Sequence, residues 1–216
     1  MNLYPVQLAL SGKRCIIVGG GAVAERKADG LLACGASVVI VARDMTDRLR
    51  SWAAEGHIEM HRESYRRDHL QGAFFVIGAT DDEDVNDAVF RDASSLDIPV
   101  NVVDDPEKCT VIIPAVVRRG DLTIGVSTNG KSPALARRLR IELEGRYGQE
   151  YETVLHIMGR VRTIIRERGR ASQKNKEIFE ALLDGGIVDA VREKRWDDVR
   201  GLVYEITGET ITIGEE

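Results

Sequence analysis

Residues 14–24 read RCIIVGGGAVA, and this stretch decides the fold. Arg14 to Val18 is a short apolar run rich in β-branched residues, of the kind that forms a strand buried on both faces. Three glycines, Gly19, Gly20 and Gly21, end it. From Ala22 the period changes: Val23, Ala24, Ala28, Leu31 and Leu32 recur at helical spacing as far as Gly35, which suits a helix C-terminal cap. SVVIVA, from Ser37 to Ala42, then reads as a second buried strand. Strand, glycine turn, helix and strand in so short a span make one βαβ unit, whose crossover is expected to be right-handed.

The alternation continues outward from this unit. The pattern predicts a helix over Met45 to Glu55, a strand at Ile58 to His61, a strand at Ala73 to Ala79, a helix over Glu83 to Leu96, and a strand PVNVV running up to Asp104. Five parallel strands with interleaved helices place the chain in the α/β class, as a Rossmann-like doubly wound parallel sheet. After Thr110 the pattern changes. VIIPAVVRRGDLTIGVS reads as two strands about the turn Arg119-Gly120-Asp121, with Pro114 at an edge or a strand break. A helix from Ser132 to about Tyr147 follows, and from Gln149 to about Thr207 the chain reads as helical, with an arginine-rich stretch at 160–170. The expected organisation is a sheet domain over 1–113, a small mixed strand/helix region over 114–148, and an all-helical C-terminal domain over 149–216.

With 43% hydrophobic and 30% charged residues, the 216-residue chain has a core that needs neither disulfide nor metal, and no membrane span. Its net charge of -5 argues against nucleic acid as a partner. Lys13 and Arg14 follow the first apolar stretch rather than precede it, so no export signal is expected. Three widely spaced cysteines, Cys15, Cys34 and Cys109, argue against a disulfide framework or a zinc site and suit a reducing cytoplasm. Charge is uneven, however: residues 114–148 hold seven Lys or Arg against three Asp or Glu, a segment suited to an anionic ligand or simply to a solvated helix face.

Gly19-Gly20-Gly21-Ala22-Val23-Ala24 fits the dinucleotide pattern G-x-G-x-x-G/A, directly after a strand and at a helix start. Gly19 permits the tight turn, Gly21 lets backbone approach a pyrophosphate, and Ala24 allows helix and strand to pack closely; the phosphates would rest on free N–H groups at the positive helix end. The acidic residue expected at the end of the second strand is replaced by Ala42 and Arg43, with Asp44 one step later. Asp44 could reach the ribose hydroxyls, Arg43 could stack on adenine or meet a 2'-phosphate, or both could be solvated loop charges. Two further loops fall at the carboxyl ends of strands: Thr80-Asp81-Asp82, which either contacts the cofactor or caps the next helix, and Asp104-Asp105-Pro106.

No Tyr-x-x-x-Lys occurs at any tyrosine. His57, His61, His69 and His156 show no ligand spacing, so no metal site is expected. Asp104 is the general-base candidate: a carboxylate at the crevice, with partial burial expected to lift its pKa towards neutrality, although a turn-making role before Pro106 is equally open. A second ligand-like loop, Ser127-Thr128-Asn129-Gly130-Lys131-Ser132, leads into a helix carrying Arg137, Arg138 and Arg140. Hydroxyls, a lysine and a helix N-terminus suit a substrate with several carboxylates, and equally a polar loop with a serine cap.

The stretches YPVQLALSGKRCIIVGGGAVAERKADGLLACGA, ATDDEDVN, NVVDDP and IIPAVVRRGDLTIGVSTNGKSPALARRLR, followed by the helical tail, resemble in order the precorrin-2 dehydrogenase and sirohydrochlorin ferrochelatase family, which includes the N-terminal module of siroheme synthase. The resemblance implies NAD-dependent oxidation of precorrin-2 to sirohydrochlorin and, in some members, insertion of Fe2+. It implies an NAD-binding domain, a central region that forms a homodimer, and a helical domain that closes over the tetrapyrrole. The family's essential aspartate matches Asp104. Its NAD contacts match Ala22 and Val23 on the glycine loop and Arg43 and Asp44 after the second strand, while a serine phosphorylated in some members is Thr128 here. The methyltransferase module fused to some relatives is expected to be a separate protein. A rival reading, a non-catalytic NAD-sensing module, would need the glycine loop but neither Asp104 nor the 127–132 loop.

Overall fold

The computed structural model describes residues 3–167 and 172–212, and the chain forms two compact units that divide between Ile113 and Pro114. The arginine-rich stretch at 160–170 lies outside the described residues beyond Glu167.

The first unit holds β1 (Arg14–Val18), α1 (Ala22–Leu32), β2 (Ser37–Val41), α2 (Asp47–Ala54), β3 (Ile58–His61), β4 (Phe75–Gly78), α3 (Glu83–Ser95) and β5 (Val100–Val102). The strands lie in the order β3-β2-β1-β4-β5, and every pairing is parallel. Period-two alternation sorts their side chains between two cores. Cys15, Ile17, Val38, Ile40, Phe75 and Ile77 meet Ala24, Ala28 and Leu31 of α1 and Leu49 of α2 on one face. Ile16, Val18, Val39, Val41, Val76 and Val100 meet Val89 and Ala93 of α3 on the other. Each such side chain withdrawn from water contributes about 1.5–3 kcal/mol, so a sheet covered on both faces is stable without cross-links.

Strand order reverses between β1 and β4, so the chain leaves the two strands in opposite lateral directions and opens a crevice at their carboxyl ends. β5 is shorter than PVNVV suggested. It ends at Val102, and Asp104 lies beyond it in a turn with φ +60°, a left-handed conformation that Asp tolerates better than most residues. The expected elements otherwise fall within a few residues of their predicted ends.

The second unit opens with the antiparallel hairpin β6 (Ala115–Arg119) and β7 (Leu122–Val126), turned at Gly120-Asp121. Helix α4 (Pro133–Arg146) follows, then α5 (Glu150–Glu167), α6 (Ser172–Asp184), α7 (Ile187–Arg192) and α8 (Trp196–Thr207). Val154, Ile157, Val161 and Ile165 form the buried stripe of α5 and pack with Leu182, Ile187, Val191, Val199 and Val203. Among the described residues no helix is long and apolar enough to cross a membrane.

Cys15, Cys34 and Cys109 form no disulfide. Burial, with Cys34 adding to it, pushes the Cys15 thiol up to about 11, and at pH 8 only about one part in a thousand would be the reactive thiolate. A thiol reagent at pH 8 is expected to label Cys34 first and to reach Cys15 only after denaturation. Labelling of native Cys15 as fast as Cys34, read by peptide mass mapping, would contradict this packing.

Candidate cofactor and catalytic site

The glycine loop is stitched into the carboxyl edge of the sheet by backbone: the N–H of Gly19 donates to Val41 O at 3.0 Å, Thr46 N donates to Gly20 O at 3.0 Å, and Ala79 N donates to Val18 O at 2.7 Å. Gly19 has φ +128°, and a Cβ there would lie 2.1 Å from Ala79 O. Gly20, the variable position of the pattern, is equally constrained, because a Cβ would lie 2.0 Å from Asp44 O. Gly21 differs: nothing lies within 4 Å of a Cβ built there. The space over Gly21 is therefore open to a ligand, while α1 presents its first N–H groups behind it and Ala24, fully buried, lets helix and strand close up.

Ala22 is exposed and Val23 half-buried at the head of α1. At the end of β2, Arg43 and Asp44 are both exposed; Arg43 Nε donates to Ser64 Oγ at 2.9 Å, and Arg62 donates to Arg43 O at 3.2 Å and lies 4.0 Å from Asp44. Arg62 and Ser64 belong to this end of the site but carry no motif of their own.

A pocket of about 360 Å³ opens between the first turn of α1 and the loops after β4 and β5; Val23, Thr80, Asn86 and Asp104 all line it. Thr80 accepts a hydrogen bond from Asp82 N at 3.2 Å, and Asp82 caps α3 through Val85 N, so the 80–82 loop both caps a helix and lines the pocket. Asp104 makes the turn through its left-handed backbone, while the side-chain cap is that of Asp105, which accepts from Glu107 N at 3.2 Å and pairs with Lys108 at 3.0 Å, and that lysine holds its carboxyl below the usual range. The Asp104 carboxylate takes no hydrogen bond or ion pair among the described residues. It is also exposed, so the partial burial expected of it is not found; the short β5 releases the chain before Asp104 can be covered.

Behind this turn stands Cys109. Its thiol receives Val102 N at 3.3 Å and Asn101 Nδ2 at 3.4 Å and donates towards Val102 O and Asp105 O. Lys27, one helical turn after Val23, faces the same place; burial and Arg26 push its ammonium down, while Asp104 and Cys109 pull it up. Asn86 is a further residue of the pocket that no motif singled out. It is 9% exposed, Nδ2 donates to Thr80 O at 2.8 Å, and Oδ1 is buried without a partner. Gly78 makes room for it, since a Cβ there would press on Oδ1 at 3.1 Å. That acceptor is enclosed beneath Gly78 rather than open to the pocket, so Asn86 serves the wall by anchoring Thr80; the open space over Gly21 is the feature that fits a dinucleotide.

In the second unit, the 127–132 loop spends much of its polarity on itself. Ser127 Oγ receives Asn129 N at 3.1 Å, Thr128 Oγ1 receives Ser132 N at 3.1 Å, and Ser132 Oγ caps α4 through Leu135 N at 3.2 Å. Asn129 and Gly130 turn the chain with positive φ, +52° and +78°. Arg138 pairs with Glu142 and Arg140 with Glu144, each one turn along α4, which removes two of the three arginines expected to meet an anion. Lys131 and Arg137 are exposed and keep their charge for a ligand.

His61 and His69, which show no ligand spacing in the sequence, are brought together by the fold with Glu63 at the end of β3, their donor atoms within 4.8 Å of one another.

A parallel sheet of order 3-2-1-4-5, with an open glycine loop at its switch point, defines a dinucleotide-binding α/β protein. Comparison with known proteins agrees. Residues 6–115 match the family described as "Putative NAD(P)-binding", and residues 119–146 match "Sirohaem biosynthesis protein central". The chain belongs to this NAD(P)-binding family, and its central segment is of the sirohaem biosynthesis type. It is 35% identical over 206 residues to a siroheme synthase of Methylobacillus flagellatus, covering 95% of this chain and 44% of the relative. To a siroheme synthase of Psychrobacter cryohalolentis it is 35% identical over 187 residues, covering 87% and 36%. The chain thus spans less than half the length of these relatives. Among solved structures, SirC, a precorrin-2 dehydrogenase, superposes with a TM-score of 0.78 at 27% identity, covering 96% of this chain and all of that one.

Proposed function

We propose that this chain is an NAD-dependent dehydrogenase that oxidises precorrin-2 to sirohydrochlorin in siroheme biosynthesis, in the cytoplasm. The observation that carries the reading is Asp104: a carboxylate with no hydrogen bond or ion pair, lining the same pocket as Val23 of the dinucleotide loop. When bound, NAD supplies the hydride acceptor. Amides at the head of α1, reached across Gly19, Gly21 and Ala22, hold the pyrophosphate. Asp44 is the exposed acid for the adenosine ribose, which favours NAD, and Arg43 offers its guanidinium plane to the adenine. Thr80 and Asn86 line the opposite wall, where Asn86 Nδ2 holds the 80–82 loop in place through Thr80 O.

Oxidation removes a proton as well as a hydride, and Asp104 takes the proton as general base. The 127–132 loop, through Ser127, Thr128, Asn129, Gly130, Lys131 and Ser132, binds substrate carboxylates with Arg137 beside it. The same free carboxylate would accept pyrrole protons as Fe2+ enters sirohydrochlorin, so ferrochelation is included in the proposal. Residues 114–148 are assigned to a homodimer interface on the exposure of Leu135, Leu139 and Ile141 along α4, with residues 149–216 as the helical domain.

Anaerobic incubation with precorrin-2 and either NAD or NADP tests this. The sirohydrochlorin spectrum is expected with NAD, followed by faster metallation than in a protein-free control once Fe2+ is added, from a species of twice the 23.9 kDa chain mass. Binding of NAD without oxidation would overturn the enzyme in favour of a nucleotide-sensing module. Oxidation with NADP alone would overturn the cofactor assignment, and unaccelerated metallation would remove the chelatase.

A further inference from the structure

His61 closes edge strand β3, Glu63 follows two residues later, and His69 sits in a short 3-10 turn over Arg67–Leu70. Glu63 Oε1 lies 3.0 Å from His69 Nε2 and 3.9 Å from His61 Nδ1. These separations bracket the roughly 3.3 Å expected between donors on a tetrahedral ion with bonds near 2.0–2.1 Å. We propose that His61 Nδ1, Glu63 and His69 Nε2 form a divalent transition-metal site, distinct from the dinucleotide crevice and independent of the reaction proposed above. It departs from the sequence-based expectation of no metal, because the three donors converge only through the turn after β3.

The surrounding groups are those a metal site uses. Glu59 lies 2.7 Å from His61 Nε2 and is itself gripped by Arg14 at 2.7 Å. The carboxylate draws the imidazole proton to Nε2, and that leaves the Nδ1 lone pair facing Glu63. The second oxygen of Glu63 receives Arg66 NH1 at 2.5 Å, which steadies the carboxylate while Oε1 faces the two imidazoles. The His69 side chain is only 7% exposed, which fixes its ring. Two imidazoles and one carboxylate select zinc, cobalt, nickel or copper over magnesium and calcium.

One bond must be exchanged. Arg66 N donates to His69 Nδ1 at 2.9 Å, which puts the ring proton on Nε2, towards Glu63. An ion at Nε2 requires that proton to move to Nδ1, and Arg66 N–H gives up its acceptor. The site is therefore an exchangeable one, loaded and stripped without unfolding. Its occupant would tie down the 62–66 segment, whose Ser64 bonds to Arg43 at the cofactor end.

Co2+ is the probe, added to the tag-free full chain without nucleotide or tetrapyrrole and followed by visible d–d absorption. One equivalent is expected to bind and to be removed by chelator with circular dichroism unchanged. Asp104→Asn should bind as the parent does, whereas His61→Gln, at a partly exposed position that leaves folding intact, should lose at least about tenfold in affinity, as for a lost metal ligand or its supporting shell. Glu63→Gln should weaken binding likewise. The proposal is overturned by no Co2+ spectrum, by unchanged affinity in both His61→Gln and Glu63→Gln, or by loss of binding in Asp104→Asn, which would place the ion at the crevice.

Discussion

Asp104→Asn is expected to lower turnover of precorrin-2 by about 10²–10⁴-fold, the range removed with a positioned general base, while NAD binding and Tm stay at the parent values. The expected loss is confined to chemistry for structural reasons. The Asp104 side chain bonds to nothing in its unit, so neutralising it breaks no contact, and Asn is among the few residues that accept its φ of +60°. Steady-state rates together with NAD titration of the variant check this. Turnover within a few-fold of the parent would remove Asp104 from the reaction, and a parallel fall in NAD affinity would recast it as a binding residue.

The second large effect separates three adjacent glycines. Gly19→Ala and Gly20→Ala each drive a methyl group into backbone, at 2.1 Å from Ala79 O and 2.0 Å from Asp44 O. Neither carbonyl belongs to a flexible side chain that could step aside, and Gly19 adds the strain of φ +128°. Each substitution is expected to cost more than about 4 kcal/mol, in the tail that only a few mechanisms reach. For a unit of this size that lowers Tm by roughly 20 °C or more. Gly21→Ala meets open space and should leave Tm unchanged, yet its methyl occupies the approach of the pyrophosphate, so NAD affinity should fall about a hundredfold, roughly 2.7 kcal/mol. Thermal melts and NAD titrations of the three variants would show the contrast; a destabilised Gly21→Ala or a stable Gly20→Ala would contradict the packing.

How much of this was legible in the sequence depended on how local each cause is. The glycine loop, the βαβ alternation and the place of Asp104 all follow from strand and helix periods and from one strand end, so RCIIVGGGAVA and NVVD carry them. Gly20 was hidden because its constraint is the carbonyl of Asp44, brought close only when β2 lies beside β1. Asn86 was hidden for the same reason: ATDDEDVN contains it, but its orphaned Oδ1 exists only against Gly78. The three donors at the end of β3 are spaced two and six residues apart, a pattern with no meaning until a 3-10 turn folds His69 back. The pairings of Arg138 with Glu142 and Arg140 with Glu144 could have been read, since both are i,i+4 spacings on a predicted helix. The exposure of Asp104 could not, because it turns on where a three-residue strand stops.

The left-handed turn at Asp104 bears on how such a chain can change over evolutionary time. The residues that this backbone tolerates best, Gly, Asn, Asp and His, include no other carboxylate, so a longer acid such as Glu is disfavoured on conformational grounds alone. Two of these states, Gly and Asn, keep the fold and the nucleotide pocket and lose only the proton acceptor. A descendant that had abandoned catalysis would still fold and still respond to its cofactor, one substitution away from a new career as a reporter of nicotinamide levels.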